Sequence, residues 1–300
     1  MENYHIPVLA EESVELLDIK PDGVYVDLTF GGGGHSRLIL SALGGRGRLF
    51  GFDQDADARA NIPHDKRFTF VESNFRFMRG QLRALGITQV DGVLADLGVS
   101  SHHFDTRERG FSFRFDAPLD MRMNQRGKTT AASVVNTYTA EKLTEILGTY
   151  GEVETPFKVA NCIVRAREEK PVETIGELID AVAPCTPKRD PNKFLSKLFQ
   201  GLRIEVNREM EALKMALEQS LKALKPGGRL VVISYHSLED RLVKNFLKSG
   251  NFDGKIEKDF YGKVQTPFKV LTKKAVVPSD AELSRNPRSR SAKLRAGEKL

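Results

Sequence analysis

The order of apolar strands and helices in the first hundred residues constrains the fold of this chain more than any other feature. Short apolar runs rich in β-branched residues predict four strands, and helical patterns or loops separate them. Strands that alternate with helices at this spacing form a parallel sheet with helices on both faces, so the predicted fold class is α/β. The predicted strands cover residues 24–26, 48–52, 68–71 and 92–95.

The alternation stops after Asp96 and resumes about a hundred residues later. A connection between a strand and a helix normally takes only a few residues, so the intervening chain is expected to form a unit of its own. We therefore predict a discontinuous α/β domain over 1–103 and 201–300, with an inserted, mostly helical domain over 104–200. Amphipathic helical patterns in the insert cover 140–147, 157–169 and 175–182.

After the insert, the sequence predicts one long helix over 206–224 and a fifth strand over 229–234. A turn rich in proline and glycine separates the two. A further helix is predicted over 238–247, and the segments 264–277 and 292–296 are expected to supply closing strands.

Four consecutive glycines, Gly31 to Gly34, lie between the first strand and the first helix. Glycine lets a backbone approach a ligand without a Cβ clash and reach positive φ. The dinucleotide fingerprint Gly-x-Gly-x-x-Gly is not matched, because its last position falls on Ser36 or Arg37. A ligand that carries adenosine but no pyrophosphate, such as S-adenosylmethionine, therefore fits this loop better than NAD.

Acidic residues end the second and the fourth strands. Asp53 follows Gly33 by twenty residues, where a carboxylate can accept hydrogen bonds from both ribose hydroxyls. This spacing occurs in NAD and S-adenosylmethionine proteins alike, so it indicates adenosine and little more. Asp96 faces the same crevice, since ligands of open α/β sheets bind outside the carboxyl ends of the strands. It can hold the donor's ammonium, the adenine amine or the substrate, or it can cap a helix.

Composition limits the class of protein. Apolar residues make up 40% and charged residues 29% of the 300, which is typical of a folded globular chain. Cys162 and Cys185 are too few for a disulfide framework and lack the close Cys/His pairing of a zinc site, so we expect a reducing compartment and no metal. The sequence has neither a signal-peptide pattern nor a run of about 18 apolar residues, which indicates a cytoplasmic protein without a membrane segment.

Basic residues are concentrated in two places. The last sixteen residues carry a charge of +5, out of +6 for the whole chain, and are expected to form a basic tail that contacts phosphate or is simply solvated. The start of the insert mixes cations with aromatic residues, which suits RNA contact, although alternating phenylalanines also suit a half-buried strand. These residues are Arg107, Arg109, Arg114, Arg122 and Arg126 with Phe111, Phe113 and Phe115.

Longer motifs run through nearly the whole chain: HIPVL at 5–9, DLTFGGGGHS at 27–36, DLGVSS at 96–101, RGFSF at 109–113, PLDMRM at 118–123, FQGLRI at 199–204 and SYHSLEDR at 234–241. In this order they resemble one family, the bacterial 16S ribosomal RNA cytosine-N4-methyltransferases known as RsmH, formerly MraW. A series of this length is far more specific than a single glycine loop.

The resemblance implies N4-methylation of a cytidine in the decoding region of 16S rRNA. The expected partner is 16S rRNA within a small ribosomal subunit, and a monomer and a homodimer both stay open. It also implies a Rossmann-like methyltransferase core and an inserted domain that recognises the substrate. His103 stands where some members carry Gln, and Gly32 stands where relatives can carry Arg. The residues implied to bind S-adenosylmethionine are Gly33, Gly34, His35, Asp53, Phe75, Asp96 and His103.

The exocyclic amine of cytosine is a poor nucleophile, because its lone pair is delocalised into the ring, so positioning is the main catalytic requirement. Asp96, Tyr235 and His236 lie at the ends of neighbouring strands, where an acceptor for the amine proton is needed. We predict that Asp96 orients the amine. His236 is either a general base or a histidine that only hydrogen-bonds its loop. The proline-rich loop of many amino-methyltransferases is absent after Asp96, so Tyr235, Phe104 and Phe111 are candidates for base stacking.

Three other functions are alternatives to methylation of ribosomal RNA. An NAD-dependent oxidoreductase lacks support because the third glycine is missing. A non-catalytic RNA-binding or assembly factor on the same fold would bind the donor without transferring its methyl group. A methyltransferase of small molecules would leave the basic and aromatic insert without a purpose.

Overall fold

The computed structural model describes residues 7–258 and 264–300, and its backbone contacts divide the chain into two units. The first unit comprises Met1–Gly98 and Met210–Leu300, and the second comprises Val99–Glu209. The organisation into a discontinuous domain over 1–103 and 201–300 with an inserted domain over 104–200 stays a prediction. Two residues of the first motif, His5 and Ile6, lie outside the described residues.

A seven-stranded sheet forms the centre of the first unit. Its order is β3-β2-β1-β4-β5-β9-β8, in which β1 to β5 are parallel and β9 is antiparallel to both of its neighbours, β5 and β8. A separate antiparallel pair, β6 and β7, precedes β8 in the chain. The strands are β1 (Val24–Asp27), β2 (Arg48–Asp53), β3 (Phe68–Glu72), β4 (Val90–Asp96), β5 (Leu224–Ser234), β6 (Glu257–Lys258), β7 (Val264–Gln265), β8 (Phe268–Val270) and β9 (Lys293–Lys299).

Most helices follow the predicted pattern, and the α/β fold class with a helical insert is confirmed. They are α1 (Ala10–Leu17), α2 (Gly34–Ala42), α3 (Met78–Ala84), α4 (Ser101–Asp105), α5 (Ala131–Thr137), α6 (Ala140–Thr149), α7 (Pro156–Glu169), α8 (Ile175–Val182), α9 (Pro191–Asn207), α10 (Glu209–Ala223), α11 (Ser237–Ser249) and α12 (Asp280–Arg285). Short 3-10 turns cover Ala56–Asn61, Phe75–Phe77, Arg107–Arg109, Ala183–Cys185 and Pro287–Ser291. Within residues 7–258 and 264–300, no helix combines the length and the apolar character needed to cross a membrane.

The long helix predicted over 206–224 is confirmed as α10 (Glu209–Ala223), except that it begins three residues later, after the end of α9. Arg208 adopts the left-handed conformation, with φ of 51°, and its backbone N–H donates to the carbonyls of Glu205 and Ile204. This conformation ends α9, and α10 begins at the next residue. A non-glycine residue adopts it rarely, so the sequence carries no signal for the break.

The second unit has its own core, built from α5 to α9 and the loop that precedes them. Phe111 belongs to this core. Residues 111–115 form no strand, so the half-buried strand that the alternating phenylalanines also suited is absent here. Arg109 is 5% exposed and donates to the carbonyls of Arg122 and Met123 at 3.0 Å each. Burial of Phe111 and Arg109 contradicts their assignment to an RNA-contacting surface. Arg107 and Phe115 are exposed and stack on each other.

The basic segment predicted at the C-terminus is in part an ordered strand of the sheet. β9 lies between β5 and β8, which confirms the closing strand expected over 292–296. Arg295 forms a two-point ion pair with Asp240, at 2.6 and 3.2 Å. The ammonium of Lys299 donates to the carbonyl of Leu224 at 2.6 Å. These two charges hold the fold together, whereas Arg285, Arg288 and Arg290 are exposed, and phosphate contact by them stays a prediction.

Candidate active site

The glycine loop has a shape that larger residues do not permit at two positions. Gly31 and Gly33 have φ of 47° and 72°, in the left-handed region that favours glycine. A Cβ at Gly33 would lie 3.0 Å from the ring of Phe30, and one at Gly34 would lie 3.1 Å from Pro7. α2 begins at Gly34, so the backbone N–H groups of its first turn have no partner within the helix. The loop therefore offers a backbone cradle for an anion such as a carboxylate.

Gly32 differs from its neighbours in the loop. A Cβ at this position would meet nothing within 4 Å, and its φ is not positive. A side chain at residue 32 is therefore compatible with the loop.

Asp53 ties the end of β2 to the glycine loop. Its Oδ2 accepts a hydrogen bond from the N–H of Gly31, and its Oδ1 accepts one from the N–H of Asp55, at 2.8 Å each. The side-chain amide of Asn61 donates to the carbonyl of Gly31 at 3.0 Å. Each carboxylate oxygen has capacity for a second hydrogen bond, so Asp53 can bind hydroxyls while it fixes the loop.

Phe75 follows β3, which is the neighbour of β2 in the sheet. Asp53 and Glu72 are paired residues at the ends of these two strands. The turn that carries Phe75 begins at Asn74, whose side-chain oxygen accepts from the N–H of Arg76 at 2.9 Å. The side-chain amide of Asn74 donates to Gln54 at 2.8 Å, next to Asp53. Phe75 is thus held on the strand end adjacent to Asp53.

Asp96 lies at the carboxyl end of β4 and contacts two other candidate residues. Its Oδ1 accepts a hydrogen bond from the phenol of Tyr235 at 2.7 Å, and its Oδ2 lies 3.7 Å from Nδ1 of His35. The backbone N–H of Asp96 donates to the hydroxyl of Thr29 at 2.7 Å. The Asp96 side chain is 23% exposed, so a carboxylate oxygen is accessible to a bound substrate.

The pairing of β4 with β5 explains why Asp96 and Tyr235 meet. Asp96 pairs with Ile233, and Tyr235 comes two residues later, directly after β5 ends. Burial, together with the charge of Asp96 and the hydrogen bond to it, raises the pKa of Tyr235 far above its ordinary value of 10.0. The phenol therefore stays protonated and acts as a donor to Asp96, not as a proton acceptor.

His35 is buried at the start of α2. Its Nε2 lies 3.0 Å from the carbonyl of Val8. A carbonyl only accepts, so Nε2 carries the proton and Nδ1 faces Asp96. Nδ1 lies 3.7 Å from Asp96 Oδ2, beyond hydrogen-bond distance, so His35 lines the site without donating to Asp96. The backbone N–H of His35 belongs to the first turn of α2.

Asp27 has a supporting role that sequence reasoning missed. It is 1% exposed, accepts from the hydroxyl of Ser36 at 2.7 Å, and accepts from the N–H of Thr29 at 3.1 Å. Burial raises the pKa of Asp27, and nearby His35 opposes that rise. The carboxyl group ties the end of β1 to both sides of the glycine loop. Its sequence signal is a charged residue that directly follows the apolar run at 24–26.

His236 is the N-cap of α11. Its Nδ1 accepts from the backbone N–H of Glu239 at 3.4 Å, and its Nε2 lies 3.2 Å from a Glu239 carboxylate oxygen. The other oxygen of Glu239 accepts from the N–H of Tyr235 at 2.9 Å. These contacts agree with the second reading of His236, a residue that hydrogen-bonds its loop. Its role as a general base stays a prediction.

His103 belongs to the second unit, on α4. Its Nδ1 lies 3.2 Å from the backbone N–H of Ser100, and its ring centroid lies 4.8 Å from that of Phe111. The imidazole is buried in that unit. Phe104, the next residue, packs against the core of the same unit. The predicted donor contact of His103 stays a prediction.

The family of this chain is shown by a family model and by relatives that are more than half identical to it. Residues 2–300 match the family described as the MraW methylase family. Ribosomal RNA small subunit methyltransferase H of Parabacteroides distasonis is 61% identical over 298 residues, which cover 99% of this chain and 98% of that protein. The protein of the same name from Flavobacterium johnsoniae is 55% identical over 297 residues, with 99% and 98% covered. The crystal structure of an rRNA methylase from Streptococcus thermophilus is 12% identical, covers 98% of this chain and 97% of its own, and has a TM-score of 0.44.

Proposed function

Because this chain belongs to the MraW methylase family, we propose that it transfers a methyl group from S-adenosylmethionine to small-subunit ribosomal RNA. The acceptor is N4 of a cytidine in the decoding region of 16S rRNA. The observation that carries the proposal is the partly exposed Asp96 carboxylate, which lies between the phenol of Tyr235 and the imidazole of His35 at the carboxyl edge of the sheet.

The residues present fit S-adenosylmethionine. The backbone N–H groups at Gly34 and His35 suit its carboxylate, since they open the first turn of α2 beside a loop that a Cβ at Gly33 would disturb. Asp53 suits the ribose hydroxyls because each of its oxygens can accept a further hydrogen bond. Phe75, at the end of the strand next to Asp53, is proposed as a further contact to S-adenosylmethionine, and His103 is proposed as another.

When bound, S-adenosylmethionine supplies a sulfonium methyl group that an amine nitrogen can attack. Asp96 Oδ2 accepts a hydrogen bond from the cytosine amine and thereby orients the nitrogen toward that methyl group. The amine proton leaves to Asp96 and then to solvent. Tyr235 donates to Oδ1 and keeps the carboxylate in one orientation toward the substrate.

The substrate proposed is 16S rRNA within the small ribosomal subunit, and the enzyme is a cytoplasmic monomer or homodimer. The reaction needs no metal ion, because the sulfonium methyl group is already electrophilic. A cytosine whose amine is methylated must be single-stranded or flipped out of its stack to reach Asp96.

The test is methyl transfer to small subunits isolated from cells that lack the gene, with a tritium-labelled donor. The wild-type chain is expected to label 16S RNA, and Asp96→Asn is expected to lower turnover by about 100-fold or more, as loss of an acid–base group does. Asp91→Asn is the matched control, since Asp91 lies at the other end of β4 and pairs with Lys225. Donor and subunit binding without label in the RNA would contradict the proposal and favour a non-catalytic assembly factor.

A further inference from the structure

A cavity of about 300 Å³ lies in the first unit, between α11 and the edge of the sheet formed by β8 and β9. Four of the side chains that line it are cations: Lys244, Lys248, Lys273 and Arg295. Among the residues that the structure describes, no carboxylate lines it. The cavity is separate from the glycine loop and from Asp96, and the proposed mechanism does not use it.

Three of these cations have no partner charge within the described part of the chain. Arg295 is neutralised by Asp240, which it contacts through two of its nitrogens. Within residues 7–258 and 264–300, Lys244, Lys248 and Lys273 form no ion pair with a carboxylate. The cavity therefore presents about three uncompensated positive charges.

The fold alone does not explain this arrangement. Lys244 and Lys248 are four residues apart on α11, and like charges at that spacing destabilise a helix by a few tenths of a kcal/mol. Lys248 gains from its place in the last turn of α11, where a cation favours the helix dipole. Lys244 lies near the middle of α11, four residues after Asp240, whose carboxylate is engaged by Arg295, and Lys273 lies after β8, so neither gains from the helix dipole. Clustered, unpaired cations around a concave surface are what an anion site needs.

The cavity lies beside the middle of the sheet. In the register of β5 and β9, Arg295 pairs with Val232, one residue before Ile233, the partner of Asp96. Val270 pairs with Gly297, which pairs with Leu230, three residues before Ile233 and about 10 Å along the strand. β8 is three strands from β4 in the sheet order, a separation of about 14 Å at the usual spacing between strands. A polynucleotide with one base at Asp96 can therefore reach the cavity with a part of its backbone that lies a few nucleotides away.

We propose that the cavity between α11 and β8–β9 binds phosphodiester groups of the substrate RNA strand, a few nucleotides from the one that is methylated. This inference rests on the proposed function for the identity of the polyanion. Lysine ammonium groups suit this role because they bind phosphate as mobile point charges and release counterions. The contact is independent of sequence: it contributes affinity and register, while the pocket at Asp96 selects the base.

The test compares the full-length wild-type chain with the triple variant Lys244→Gln, Lys248→Gln, Lys273→Gln. Binding of a fluorescently labelled single-stranded RNA is measured by anisotropy over a series of salt concentrations. Each lost phosphate contact lowers the slope of log affinity against log salt by about 0.7, so three contacts lower it by about 2. Between 50 and 200 mM salt, the wild-type chain should lose affinity roughly 20-fold more steeply than the variant.

A second triple variant controls for net charge. Lys66, Arg83 and Lys222 are exposed cations near the amino ends of the strands, and Lys66→Gln, Arg83→Gln, Lys222→Gln changes the charge equally. This control should keep the wild-type slope, and both variants should bind S-adenosylmethionine as tightly as wild type, which verifies folding. Equal slopes for the two triple variants would overturn the inference.

The same experiment separates this inference from the proposed function. RNA binding is read without turnover, so a slope difference in a chain that transfers no methyl group would refute only the proposed function. Methyl transfer to 16S RNA by the wild-type chain, with no slope difference between the variants, would refute only the phosphate site.

Discussion

Tyr235→Phe tests the central contact of the candidate site, the hydrogen bond from the Tyr235 phenol to Asp96. The phenol donates to Asp96 Oδ1 at 2.7 Å, and the burial that raises the pKa of Tyr235 keeps it protonated at every pH suitable for assay. A hydrogen bond to a charged group contributes about 1.5 to 3 kcal/mol. If that energy holds Asp96 in the orientation that the transition state needs, its loss lowers kcat by about 10- to 100-fold.

The assay for Tyr235→Phe is single-turnover methyl transfer to saturating small subunits, with donor affinity measured separately by calorimetry. Phenylalanine keeps the ring in place, so a lower rate reports the loss of the hydroxyl alone. We expect kcat to fall while the Kd for S-adenosylmethionine stays within about twofold of wild type, a change of less than 0.5 kcal/mol. A variant of Gly98, two residues after Asp96, would be a poorer test, because Gly98 has φ of 94° and alanine there would strain the loop after β4.

Two results of this assay would refute the reasoning. An unchanged kcat would mean that Asp96 needs no orientation from Tyr235. A weaker donor affinity with unchanged kcat would mean that Asp96 serves the donor, as its position at the strand end also permits, and not the cytosine amine.

Three further predictions follow from single contacts. Gly33→Ala should cost about 1–2 kcal/mol in unfolding free energy by urea titration because of its left-handed φ, and it should weaken donor binding by calorimetry. Gly32→Ala should change either quantity by no more than about 0.5 kcal/mol, and similar effects for the two would contradict the loop geometry. Arg109→Ala should destabilise the chain by about 2–3 kcal/mol in urea, since two buried carbonyls lose their donor. Arg114→Ala, at an exposed position, should stay within about 0.5 kcal/mol, and the reverse order would return Arg109 to the surface. Burial of Tyr138, followed by its hydrogen bond to the Glu205 carboxylate, raises the pKa of Tyr138 to about 12, so the stabilisation present below pH 10 is lost as the pH rises toward 12. Tyr138→Phe should make the fall of urea stability with pH shallower in that window, and an equally steep fall would refute this assignment.

Strand positions could be predicted from the sequence because buried parallel strands read as short apolar runs. The same logic placed Asp96 and Tyr235 together, since carboxyl ends of adjacent parallel strands meet at one edge. It did not reveal that the phenol donates to the carboxylate, because that contact depends on the exact path of the chain after β5. The buried role of Asp27 was missed for the same reason.

The distribution of charged residues predicted their contacts less well than the apolar runs predicted the strands. Arg109 and Arg295 were expected at RNA-contacting surfaces, yet both are held inside the fold by carbonyls or by Asp240. Composition counts charges but does not say which have partners. The sequence does carry a signal for His236 as a helix N-cap, because Glu239 follows it by three residues, the spacing of a capping box at a helix start.

The central claim is that this chain methylates N4 of a cytidine in 16S rRNA. Its most direct test is nucleoside mass analysis of small subunits from cells lacking the gene, after incubation with wild-type chain and a donor that carries a heavy-isotope methyl group. The account predicts heavy N4-methylcytidine from one position in the decoding region, formed about 100-fold more slowly with Asp96→Asn. Label in another nucleoside, or at C5 of cytosine, would contradict it.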